Sequence, residues 1–485
     1  MLSFLRKNFF ILFVLAAVMV LRIPSLFEPY WYGDEGIYLT LGMGIKKGLL
    51  LYRDIFDNKP PLIYLLAALA DGKLYWFRSM LFISSLISTY FFYLLSKKII
   101  DSNKATKISV LVFALFTTIR LLEGNIANAE NFVLLPAVLG YLLAVKANLS
   151  RNYLFPGLLF SAAFLLKVPA LFDFAGLLVF LLFFKEKRVK VKELALLVSG
   201  FLLPIALVSL YFLLKGAFEV YFNSVFLQTV GYLSSWETGS HAFNPILLLK
   251  SDFSIRSFIL LFSLGGLWIF RKKLKEDLTL ASSWFLFSLF AASLSGRPYP
   301  HYLIQSVPSF ALCVGIFFKR INKKEIVGKI VPLFLFLLLT LVLWRYKFWI
   351  YKTVPYYKNF IEFSIGKIDK TAYFNFFNPR MSDVYILSGF AKANTLPSER
   401  IFIWADEPYV YALSQRLPAT RYTVAYHIKD LKATNFVIAK LQDDKISLII
   451  KDKKTEEFPE LEIILKNKYR IIENIGDFIV YRRKG

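Results

Sequence analysis

Ionisable residues recur at the ends of apolar segments in this chain, and their types suit group transfer from a phosphate. The first set is Asp34 and Glu35 in Tyr32-Gly33-Asp34-Glu35-Gly36-Ile37-Tyr38, followed by Lys59 in Asp57-Asn58-Lys59-Pro60-Pro61. Glu123 and Glu130 flank the next turn, and Lys167 and Asp173 the one after. Arg297, Tyr299 and His301 close the series in Gly296-Arg297-Pro298-Tyr299-Pro300-His301-Tyr302. A carboxylate can take the proton of a hydroxyl nucleophile. Lysine, arginine and histidine can stabilise negative charge building on a phosphate leaving group, and a guanidinium can grip a phosphate through two hydrogen bonds. Bases and phosphate binders sharing one membrane face match glycosyl transfer from a lipid-phosphate sugar, because no soluble nucleotide sugar is available outside the cytoplasm.

The elements that must position these groups are membrane spans. Hydrophobic residues make up 57% of the 485, and mean hydropathy is +0.53, far above a soluble chain of this length. A crossing needs about 20 apolar residues. Apolar runs near 9–23, 76–96, 106–122, 130–146, 154–167, 170–184, 194–214, 256–270, 278–296, 303–318 and 331–350 predict about eleven spans. Lys167 and Pro169 interrupt the pair 154–184, which also reads as one kinked helix. Alternate loops are rich in lysine and arginine: Arg6 and Lys7, Lys97 to Lys107, Lys146 and Arg151, Lys185 to Lys192, Arg271 to Lys275, and Lys319 to Lys324. The positive-inside rule places all of them in the cytoplasm, and so puts the acids, Lys59, Arg297 and His301 at the outer face. Two crossings or none between 154 and 184 leave the parity unchanged.

Two outer loops stand out by length. The first, 24–75, carries a helical pattern from Glu35 to Lys47 and a short apolar helix from Leu62 to Ala70 started by Pro60-Pro61, both expected to lie along the interface as amphipathic helices. The second, 215–254, holds Trp236-Glu237-Thr238-Gly239-Ser240-His241. The membrane domain is thus read as 1–350, followed from 351 to 485 by a small extracytoplasmic α/β domain. In it, 400–404, 435–439 and 447–450 read as strands, 408–415 and 460–468 as helices, and 469–483 as a terminal hairpin.

Several function classes recede on the same residues. The net charge of +25 sits largely in short cytoplasmic loops, so topology explains it without nucleic acid. Cys313 is the one cysteine, which excludes an internal disulfide and a cysteine metal site. The first apolar run ends in Arg22-Ile23-Pro24, with no small-residue cleavage site, and reads as an uncleaved span. No cofactor motif is present; several acids near a phosphate can hold a divalent cation, but no ligand set is spelled out. Each charged residue also has a plainer reading: Asp34 and Glu35 as a helix N-terminal pair, Lys59 as a snorkelling lysine, Tyr299 as part of an aromatic belt, and Glu130, Lys167 and His301 as structural groups.

The acidic pair in the first outer loop, Lys59-Pro60-Pro61 and Arg297-Pro298-Tyr299-Pro300-His301-Tyr302 together resemble the GT-C glycosyltransferases, nearest to the family 39 protein O-mannosyltransferase and lipid A aminoarabinose transferase group. The resemblance covers roughly residues 1–350. It implies inverting transfer from a polyprenyl-phosphate sugar to an acceptor glycan, lipid or protein at the extracytoplasmic face of the cell membrane. Carried over, Asp34 is the catalytic acid that acts as base or orients the acceptor, Glu35 the second acid of the pair, and Lys59 the contact to the lipid phosphate. Arg297 and His301 match a region that lines the donor site. Glu130 falls where relatives place a second acidic group; Lys167 and Tyr299 are candidate substrate contacts by their own position. Two other readings stay open at this stage: a transporter or flippase of lipid-linked sugars, and a non-catalytic scaffold with an outer binding domain.

Overall fold

The computed structural model describes residues 2–146, 153–186, 189–228, 252–321, 326–443 and 446–484. The chain divides into two compact units, one of residues 1–23, 80–218 and 225–353, the other of 24–79, 219–224 and 354–485. The segment Trp236 to His241 lies outside the described residues.

Every expected span in the first 350 residues coincides with a helix. Among the described residues, seven helices are long and apolar enough to cross a membrane: Asn8–Leu26, Leu74–Ile100, Ala129–Lys146, Val191–Leu214, Asp252–Ile269, Pro300–Arg320 and Ile326–Tyr346. The expectation of eleven counts four more that are helical but fall outside this set. Asn103–Thr118 and Leu154–Leu166 have 16 and 13 residues. The 170–184 run is a second short helix, because Lys167 takes extended backbone and Pro169 opens a 3₁₀ turn over Val168–Ala170. Glu276–Ser293 begins with two acids and is buried without a break from Leu278 to Ser293, as a helix apolar on all sides must be when other helices surround it. By contrast Ile326–Tyr346 exposes Leu333, Leu337, Leu341 and Trp344, an apolar surface suited to lipid. The chain is a polytopic α-helical membrane protein with a small C-terminal sheet domain.

In the second unit, five strands form a sheet of order β2-β1-β3-β5-β4. β1 (Arg400–Trp404), β2 (Leu417–Pro418) and β3 (Leu448–Asp452) are parallel; β4 (Tyr469–Ile475) and β5 (Phe478–Arg483) make the terminal antiparallel hairpin. The expected strand at 435–439 is instead inside the helix Thr434–Asp443. Its β-branched run suggested a strand, but Ala433, Val437 and Leu441 are buried at four-residue spacing, and that helical face joins the core.

The two helices of the first outer loop also differ from expectation. Gly33–Lys46 is buried continuously from Glu35 to Gly44 rather than half-immersed at an interface. Two glycines permit this. A Cβ at Gly42 would stand 2.5 Å from the backbone carbon of Ala67 in the helix Leu62–Ala70, and one at Gly36 would stand 2.8 Å from the backbone nitrogen of Tyr409. The Thr40 hydroxyl donates to the Pro408 carbonyl at 3.1 Å, fixing the same helix against the C-terminal segment. Leu62–Ala70 does keep an apolar exposed face, at Leu65 and Leu69.

Candidate active site

Asp34 and Glu35 are adjacent in the first turn of Gly33–Lys46, where the helix dipole favours negative charge. They point to different surroundings. Glu35 is 2% exposed and takes a two-pronged grip from Arg78, at 2.8 Å from Nε and 2.6 Å from Nη2. Arg78 also reaches Glu28 at 3.0 Å and donates to the Ser25 carbonyl at 2.8 Å. Glu28 in turn accepts from Tyr356 at 2.6 Å and from the Trp31 indole at 2.7 Å. This Glu28–Arg78–Glu35 group is closed and buried, and it fixes where the helix begins.

Asp34 keeps its side chain 26% exposed. The Lys59 ammonium stands 3.6 Å from its Oδ1, and the Tyr38 hydroxyl donates to its Oδ2 at 3.3 Å. Lys59 also meets Asp57 Oδ2 at 3.3 Å and lies over the Tyr38 ring, 5.0 Å from its centre. The loop that carries Lys59 is tightly held. Tyr52 sits in the left-handed region at φ 70°, its hydroxyl donating to the Lys59 carbonyl at 2.8 Å, and the Lys59 N–H donates to the Tyr64 hydroxyl at 3.2 Å. Burial first, and the nearby carboxylates second, push the Tyr38 and Tyr64 phenols well above the ordinary tyrosine range, so both serve as O–H donors. Asp57 is 1% exposed; it accepts from Tyr64 at 2.7 Å and from the Asn58 N–H at 2.8 Å. On its far side His427 Nε2 stands 3.6 Å from Oδ1. Sequence reading passed over Asp57 and His427. Asp57 lay in plain view two residues before Lys59, whereas nothing local marks His427, 370 positions further on.

The remaining candidates fall in the other unit. Glu123 adopts left-handed backbone at φ 58°, and the Asn131 amide ties the turn by donating to the carbonyls of Glu123 (3.1 Å) and Ile126 (3.0 Å). His301, in the 3₁₀ segment Pro300–Ser306, pairs through Nδ1 with Glu123 and faces Glu130 with Nε2 at 3.5 Å. Lys167, at the break between two short helices, pairs with Glu130 and lies over the Tyr302 ring at 4.5 Å. The result is a chain Glu123–His301–Glu130–Lys167, with Glu130 Oε2 buried and unbonded. Tyr299 stacks on His301 at 5.6 Å between ring centres. Arg297 is partly buried, its N–H accepted by Ser295 Oγ at 3.3 Å. Asp173 stands apart from that chain as a structural acid: Trp284 Nε1 and Gln305 Nε2 donate to it at 2.7 and 2.8 Å. In the same unit an apolar cavity of about 320 Å³ is lined by residues including Leu121, Leu122, Phe285, Leu303, Leu343 and Trp349. Among the described residues no group of three or more His, Cys, Asp or Glu side chains is placed to hold a metal ion.

No family model and no curated protein matches the sequence. Solved structures do. The apo form of ArnT from Cupriavidus metallidurans superposes with a TM-score of 0.58 at 11% identity, covering 98% of each chain. The same protein bound to undecaprenyl phosphate gives 0.56, again at 11% identity and 98% of each chain. This chain has the GT-C fold. The archaeal oligosaccharyltransferase AglB from Archaeoglobus fulgidus, in complex with an inhibitory peptide and a dolichol-phosphate, matches at 12% identity over 99% of this chain and 74% of its own, with a TM-score of 0.47. The GT-C likeness to ArnT extends through the C-terminal residues as well as the spans, since 98% of the chain is covered.

Proposed function

We propose that this protein is an integral-membrane glycosyltransferase that moves a sugar from a polyprenyl-phosphate carrier to an acceptor hydroxyl or amine. One observation carries the reading: on a fold shared with a protein that binds undecaprenyl phosphate, an accessible carboxylate, Asp34, stands 3.6 Å from the ammonium of Lys59. In this scheme Asp34 takes the proton of the acceptor as its oxygen or nitrogen bonds to the anomeric carbon. The bond from that carbon to the phosphate oxygen breaks with its electron pair, and Lys59 meets the charge on the departing phosphate. A single displacement inverts the anomeric centre. Glu35 serves the chemistry by holding Arg78, and through it the start of the helix that carries Asp34.

The other unit supports the reading separately. Lys167 and His301, balanced by Glu130 and Glu123, suit a phosphate or sugar hydroxyl, with Tyr299 and Arg297 beside them in the chain. The apolar cavity suits part of a lipid chain. The positive-inside rule puts the reaction at the extracytoplasmic face of the cell membrane. The test is transfer from a radiolabelled lipid-linked sugar pool in membranes expressing Asp34→Asn. Loss of transfer at unchanged protein level is expected, and full transfer would sink the mechanism.

A further inference from the structure

Lys59 lies between two carboxylates, and they are not equivalent. Asp34 is partly exposed and holds the ammonium loosely at 3.6 Å; Asp57 is buried, nearer at 3.3 Å, and anchored by Tyr64 and the Asn58 N–H. Behind Asp57 stands His427, 8% exposed, its Nε2 3.6 Å away and its ring edge-on to Phe56 at 5.3 Å. At 3.6 Å the contact with Asp57 lies beyond a direct hydrogen bond. His427 Nδ1 is buried without a hydrogen-bond partner. A buried imidazole with one unsatisfied nitrogen is costly to keep, so its place beside Asp57 calls for a reason.

We infer that Asp57 and His427 are positioning residues for phosphate binding: Asp57 fixes the Lys59 ammonium where the carrier phosphate meets it, and His427 of the C-terminal domain sets Asp57. The inference rests on the reading of Lys59 as the phosphate contact. It makes the C-terminal domain a contributor to the site rather than an appendage. It also reverses what charge counting expects. Removing an anion beside a lysine should strengthen its attraction for a phosphate, and this holds for Asp34. For Asp57 the loss of position outweighs the gain in net charge, because the lysine is then free to fold onto Asp34.

The experiment measures the Kd for undecaprenyl phosphate of the full-length protein in nanodiscs, with thermal unfolding as a check on folding. Lys59→Met is expected to raise the Kd at least tenfold, Asp57→Asn about tenfold and His427→Gln about threefold, while Asp34→Asn leaves it unchanged or lowers it. The opposite responses of two charge-removing changes at the same ammonium cannot come from general damage to the fold. An unchanged Kd in Lys59→Met overturns the phosphate reading itself. A raised Kd in Lys59→Met with a wild-type or lower Kd in Asp57→Asn overturns the positioning inference alone. Should Asp57→Asn fail to fold, His427→Gln decides, and a wild-type Kd there overturns the inference.

Discussion

Asp34 and Glu130 are each an acid beside a lysine, yet their surroundings differ. Asp34 keeps a quarter of its side chain exposed and stands off from Lys59, while Glu130 is 2% exposed and sits directly against Lys167. A base that must accept a proton from an incoming acceptor has to be reached by it. A carboxylate sealed against cations acts by its charge and by what it holds in place. The Glu28–Arg78–Glu35 group is the extreme of that second kind, with each side chain at most 2% exposed. Residue type does not separate these roles; access and partner count do.

The largest expected effect tests the first half of the contrast. Asp34→Asn should lower turnover at least 100-fold, the contribution of a general base, with thermal stability unchanged. Arg78→Met should act first through stability. It removes the cation that two buried carboxylates share, and unfolding followed by tryptophan fluorescence in detergent should show a loss of about 3–5 kcal/mol. Glu130→Gln falls between: a clear drop in melting temperature, with turnover reduced less than in Asp34→Asn. Equal loss of turnover at an unchanged melting temperature would place Glu130 among the reacting groups and break the comparison. Gly42→Ala drives a methyl into the Ala67 backbone and should cost about 1–3 kcal/mol.

The smallest effect concerns pH. Burial holds His427 below the ordinary histidine value, with Asp57 opposing, so the folded protein binds fewer protons there than the unfolded chain. Stability contributed by His427 is therefore fully present above the unfolded-state value and lost as the pH falls from there through the folded-state value. Melting temperatures from pH 7.5 to 5.5 should decline less steeply in His427→Gln than in the parent.

Much of this was legible because it is local. Pro60-Pro61 marked where a helix begins, charge beside apolar runs marked Asp34 and Lys59, and the terminal hairpin was readable over 469–483, with turn residues at 474–477. What sequence could not separate was Asp34 from its neighbour. Successive helical residues point about 100° apart, and Glu35 finds Arg78 43 positions away, inside a run that reads as an ordinary span. The amphipathic reading of 35–47 failed for a related reason. The partner that buries its second face, Pro408-Tyr409, lies hundreds of residues downstream. The strand expected at 435–439 went wrong because its β-branched residues were weighed without the core they enter.

That contact with Pro408 and Tyr409 also sets an order of events at synthesis. The helix bearing Asp34 leaves the ribosome more than 360 residues before the surface it rests on is translated. Until then Gly36 and Thr40 have nothing to close against, and a nascent or truncated chain cannot hold the helix in its finished position. Cutting the chain after residue 350 would therefore remove the surface against which the helix carrying Asp34 packs.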